Sequence, residues 1–145
     1  MAARHLQFLL LGLAVGGCDN RLDRPVHFVL PNDYTGPFVI VANSRYPDRI
    51  EEHADRYQLT VPREGVIRTN NIDIFRRWHQ TSVAYSDGTV IVSPGDISSN
   101  FFKGDTGTSD DKTFCSWYFV GTQDEFNDRS SWPTKQWLES RGLSD

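Results

Sequence analysis

Histidines and loop aspartates are the side chains of this chain best suited to proton transfer or metal binding. Of the four histidines, His5 lies in an apolar leader, His27 and His79 fall in segments that read as strands, and His53 sits in a charged excursion. A shared metal site would need three distant segments to converge. The reading therefore assigns no metal, with a small hydrolase or metal-dependent enzyme built from His27, His79 and aspartates between residues 96 and 111 kept as an alternative. Asp105-Thr106-Gly107-Thr108-Ser109-Asp110-Asp111 carries hard oxygen ligands but no glutamate at the EF-hand spacing, so a solvated loop is expected rather than a calcium site. Asp33 and Asp96 read as turn formers. There is no Gly-x-Ser-x-Gly elbow, phosphate loop, His-Glu-x-x-His or Cys-x-x-Cys, and no catalytic residue or cofactor is assigned. Aromatic residues are the other resource. Tyr34, Phe101, Phe102 and Trp132 are the candidate contact residues for an envelope protein or, in a further alternative, for a glycan bound on exposed rings.

Cys18 offers different chemistry. Arg4 and His5 precede an apolar run from Leu6 to Gly17, about twelve residues where a membrane-spanning helix needs roughly twenty, which is the length of a signal-peptide core. The run ends in Val15-Gly16-Gly17-Cys18, which resembles the lipobox of bacterial lipoproteins. That resemblance implies acylation of Cys18, removal of residues 1–17, and a domain held by lipid at the cell envelope, facing the periplasm or the exterior. An ordinary cleaved leader and a buried N-terminal segment are the alternatives. A thioether at Cys18 would leave Cys115 a lone, buried thiol, whereas a Cys18–Cys115 disulfide would compete with lipidation.

The formal charge of −4 is mild, the signs are interspersed, and no lysine or arginine run occurs, so nucleic acid is excluded as a partner. Residues 18–25 are polar and suit a tether. Residues 26–145 hold one domain's worth of apolar sequence, 38% of the whole chain being hydrophobic.

The elements that would position these groups are short strands. Val26–Leu30 and Phe38–Ala42 flank an elbow, Pro31 to Pro37, that cannot be helical, and the second run has no polar face and belongs inside a sheet. Tyr57–Val61 and Val66-Ile67 around Pro62-Arg63-Glu64-Gly65 read as a hairpin, Ile72 to Arg76 and Trp78 to Tyr85 as alternating segments, and Ser86-Asp87-Gly88 as a tight hairpin turn. Ser93 to Asp111 reads as a long surface loop, with Phe101 and Phe102 divided between a staple onto the core and an exposed patch. Lys112–Val120 is a central last strand. A terminal helix is expected over Trp132–Arg141 with Ser131 as its N-cap and Gly142 as its stop. The sum predicts an all-β fold, a single antiparallel β-sandwich of about seven or eight strands with a short C-terminal helix.

The segments Phe28 to Gly36 with Val39-Ile40, Leu59-Thr60-Val61-Pro62 with Gly65-Val66-Ile67-Arg68-Thr69, and Tyr118-Phe119-Val120-Gly121-Thr122 resemble a family of small bacterial domains of unknown function. The shared features are turn and core residues. The resemblance therefore implies a fold and no activity.

Overall fold

The computed structural model describes residues 24–143 except 72, 77, 78, 111 and 112. Among the described residues, nine strands form two sheets. One has the order β3-β4-β1-β6-β7 and the other β5-β2-β9-β8. The strands are β1 (Val26–Leu30), β2 (Gly36–Ala42), β3 (Glu51–Glu52), β4 (Tyr57–Thr60), β5 (Val66–Thr69), β6 (Thr81–Tyr85), β7 (Val90–Val92), β8 (Phe101–Asp110) and β9 (Thr113–Val120). The predicted two-sheet all-β architecture is present, with β2 and β9 in the interior of their sheet as their apolar sequences require.

Strand direction departs from the expectation of an antiparallel sandwich. Strand β1 pairs in parallel with both β4 and β6, and β2 pairs in parallel with β5. For the β1–β4 and β2–β5 pairs the cause lies in the two proline-containing bends. After Pro31 the chain closes a turn with Tyr34 N–H donating to Pro31 O (3.1 Å), and after Pro62 it closes an equivalent one with Gly65 N–H donating to Pro62 O (2.9 Å). Each bend carries the chain across from the first sheet to the second instead of folding it back beside itself. Tyr57–Val61 and Val66-Ile67 are thus an arch between sheets and not a hairpin. The second arch stacks on the first, so that equivalent strands run the same way. Alternation could not reveal this, because an arch and a hairpin bury the same alternate residues.

The tight turn at Asp87-Gly88 does form the expected β6–β7 hairpin, with Gly88 at φ +90°. Two other segments differ from expectation. Asp73–Arg76 is one helical turn (α1) that buries Phe75 (6% exposed), not a strand. Residues 101–110 are strand β8, paired with β9 through two register shifts, and only Ser93–Asn100 remains a loop. Glycines and acidic residues disfavour strand formation locally, and the pairing with the apolar β9 overrides that preference.

The core between the sheets centres on four rings. Tyr118 stacks on Phe38 (5.3 Å between centroids) and on Phe101 (5.5 Å), and Phe28 packs edge-on against Phe38 (5.2 Å). The other face of the second sheet is covered by the C-terminal segment: α2 (Gln123–Asn127), a 3-10 turn (Arg129–Ser131) and α3 (Lys135–Glu139). Helix α2 opens with a capping box between Thr122 and Glu125. The N-cap of α3 is Thr134, not Ser131, because Trp132 caps the preceding 3-10 turn and Pro133 follows it.

The arches meet at Gly65. Its φ is +75°, and a Cβ there would overlap the Tyr34 hydroxyl and lie 3.1 Å from Pro37 O. Gly36 also has positive φ (+97°) but open space around it. Gly36→Ala should therefore cost only backbone strain, roughly 1 kcal/mol. Gly65→Ala should cost that plus about 1–3 kcal/mol of overpacking. Urea midpoints of the two variants check the order, and equal midpoints would contradict this account of the junction.

Candidate functional site

The candidate residues separate into distinct environments. Cys18 and the whole 1–17 leader lie outside the described residues, as do Trp78, Asp111 and Lys112. The side chains of residues 105–110 and of Cys115 also lie outside them. The calcium reading of Asp105–Asp111 therefore has no described ligand set, although the backbone from 105 to 110 is strand and not loop.

Tyr34 is half-buried against the core, and its hydroxyl donates to Pro37 O (2.7 Å), which pins the elbow to the start of β2. Burial pushes its phenol up to about 12. Trp132 is half-buried as well. Its indole N–H donates to Phe126 O (2.6 Å), while Trp117 and Arg129 approach its ring at 5.2 and 5.7 Å. Every described tyrosine and tryptophan is at least half-buried, and none forms a flat exposed row.

Phe101 and Phe102 occupy opposite faces of β8. Phe101 points between the sheets onto Tyr118, while Phe102 stacks on Phe126 (4.7 Å) in the outer layer. Both are pinned by packing, and both are half-buried.

His27 lies on the outer face of the first sheet, with Nδ1 2.8 Å from the Ser82 hydroxyl of the neighbouring parallel strand. Burial, Arg56 and His53 hold its pKa below the ordinary value, and Asp55 opposes them. His79 packs edge-on against Phe75 at 6.2 Å. No three histidine, cysteine, aspartate or glutamate side chains converge among the described residues, so the enzyme alternative built on His27, His79 and loop aspartates finds no shared pocket there.

A cleft of about 670 Å³ lies where the two sheets gape, between β7 and β8. Its walls are Thr81 and Val92 of the first sheet, Phe101 and Tyr118 of the second, and the loop residues Gly95 to Ser98. Tyr118 reaches it from the core with 1% exposure. Among the described residues the Tyr118 hydroxyl has no hydrogen-bond partner of good geometry, and burial raises its pKa to about 12, with nearby Ser116 opposing the rise. Ile97 stands fully exposed on the loop wall. Sequence reading singled out Phe101 and Phe102 but could not show that the loop and the strand edge would enclose this space, because it took the strand for loop.

Two measurements test these placements. Phe101→Ala should lower stability by roughly 2–3 kcal/mol, less than the 3–5 of a fully buried phenylalanine, and Phe102→Ala by less still, since it loses only outer-layer packing. Chemical denaturation checks the order, and a more costly Phe102→Ala would reverse the assignment of faces. For His27 the folded pKa is below the unfolded value of 6.5, so its stabilising effect is complete above that value and is lost as pH falls through the folded pKa. His27→Gln should flatten the fall in stability between neutral pH and pH 5. An unchanged pH profile would mean that the imidazole does not carry it.

No protein-family model matches the chain, and no curated protein matches it. Among solved structures, the chain is similar to a Bacillus anthracis protein designated, provisionally, a lipoprotein: TM-score 0.55, 15% identity, covering 81% of this chain and 90% of that one. At that identity the likeness shows a shared fold.

Proposed function

We propose that the protein is an envelope lipoprotein, acylated at Cys18, that presents a non-catalytic binding or structural domain of residues 26–145 on a short polar tether. The observation that carries this reading is the Val15-Gly16-Gly17-Cys18 sequence after an apolar leader, placed only a few residues before β1. The provisional designation of the Bacillus anthracis neighbour as a lipoprotein supports it.

The entry of the chain into the fold suits a tether. Arg24 is held against the β3–β4 hairpin, donating to His53 O (2.6 Å), Glu52 (3.0 Å) and the Tyr57 hydroxyl (3.0 Å), with its guanidinium 4.3 Å above the Tyr57 ring. Strands β1, β4 and β6 all start at this end, since their first residues Val26, Tyr57 and Thr81 are in register. The elbow, the Pro62–Gly65 bend and the Ser86–Gly88 turn gather at the other end, where Asn32 accepts hydrogen bonds from Ser86 (2.7 Å) and Asp87 (3.0 Å). A lipid at Cys18 would place the arch bends away from the bilayer. The cleft, with its mixed apolar and polar walls and no converging metal-ligating groups among the described residues, favours binding over chemistry.

Cys18→Ser should abolish acylation and move the protein from the membrane fraction to the soluble fraction. One acyl chain gives only marginal binding, so firm anchoring needs the several chains that lipoprotein processing attaches. Unchanged partitioning of the variant into detergent would rule out the lipid anchor.

A further inference from the structure

The cleft beside β8 is lined by both faces of that strand. Phe101 and Tyr118 belong to the inner face, and Phe102, Gln123 and Phe126 to the outer layer. A hole leading into the core would touch inner-face residues only. Empty space that touches both sides runs along the strand's edge, where one more strand would lie. Strand β8 ends its sheet, with β9 on one side and, among the described residues, no strand on the other. Apart from the ladder to β9, no backbone hydrogen bond among the described residues reaches Phe101 to Gly104. Natural sheets usually cover or blunt such an edge. Here the first three residues of β8 precede the register shift after Lys103, and Ile97 on the neighbouring loop is fully exposed.

We infer that this edge is a docking slot for an extended segment of a partner polypeptide, which adds a strand to β8. The inference rests on the reading of the domain as a binding module and names the class of its partner. Main-chain hydrogen bonds to β8 would supply register-independent affinity, and alternate side chains would enter the two halves of the slot. One set would fall between Val92, Phe101 and Tyr118, the other beside Phe102 and Phe126. Charge selects further. Lys103 lines the β8 side, paired with no carboxylate among the described residues, and Asp96 stands on the loop side. The slot is thus basic along β8 and acidic along the loop. It fits a segment with apolar residues at alternate positions and an acidic residue set against Lys103. Ile97 would cover the inserted strand from outside, which gives the most exposed large apolar side chain among the described residues a partner.

The probe is a phage-displayed library of random ten-residue peptides, selected on the full-length protein held in detergent micelles. Selection should enrich peptides with alternate apolar residues and one acid. The best of them, made synthetically, should slow amide exchange at Phe101 to Gly104. N-methylation of alternate residues, which leaves side chains in place and removes edge hydrogen bonds, should abolish binding. Lys103→Glu and Ile97→Asp, both at exposed positions outside the core, should leave melting unchanged and weaken the peptide about tenfold each. Enrichment of peptides with no alternation, protection elsewhere on the domain, or equal binding of the N-methylated peptide would overturn the proposal, as would failure to enrich any peptide. The readout needs no membrane, so failure of the lipid anchor at Cys18 would be seen separately.

Discussion

Strand β2 is buried on both faces, and that constraint organises the molecule. Phe38 and Ile40 point into the space between the sheets, while Val39 and Val41 point the other way, and all four are 3% exposed or less. A strand with no polar face needs a layer on each side. The first sheet supplies one. The other is supplied by Tyr46, Trp117, Trp137, Leu138 and Leu143, most of them from the last part of the chain. The C-terminal segment is therefore a third layer of the fold, and Arg141 fastens it. Its guanidinium lies 3.8 Å over Trp137 and donates to Glu64 O (2.8 Å), and its carbonyl accepts from Arg68 (2.7 Å).

Trp117 joins the two halves of this layer. It packs against the valines of β2 and β5 and also meets Trp132 and Phe126. The indole occupies the space where a side chain on residue 104 would project, so Gly104 is required by packing and not by its backbone angle. The outer layer and the edge strand β8 are coupled through this contact. An outer layer that shifted would act directly on the strand that borders the cleft.

Much of this was legible in the chain. The apolar run Phe38–Val41 named an interior strand, Asp87-Gly88 named a hairpin, and Pro31 to Pro37 named a non-helical elbow, because each depends on local chemistry. What stayed hidden depends on partners far along the sequence. The parallel direction of β4 relative to β1 is set by how one bend stacks on another, and no residue type signals it. Strand β8 was hidden because Gly104, Gly107 and its aspartates argue for loop, and only β9 beside it makes a strand. Of the candidate contact residues, Tyr34 and Trp132 turned out to be held by hydrogen bonds and rings of their own. Aromatic character marks a residue that must pack without saying against what.

The two stacked arches have a further consequence. β1–bend–β2 followed by β4–bend–β5, each strand lying parallel to its equivalent, amounts to two rungs of a solenoid. Such a stack has no intrinsic end, since the outer rung offers the next one the same surface it received. Here unrelated features lie at the outer edges of the two sheets. On the first, β3 runs antiparallel across the edge of β4 and carries Glu51 and Glu52. On the second, the side chain of Arg68 on the edge strand β5 donates to the Arg141 carbonyl of the C-terminal segment. Chains shortened before Arg141 would expose an uncapped rung, and their hazard would be end-to-end polymerisation along the stacking axis more than loss of the core.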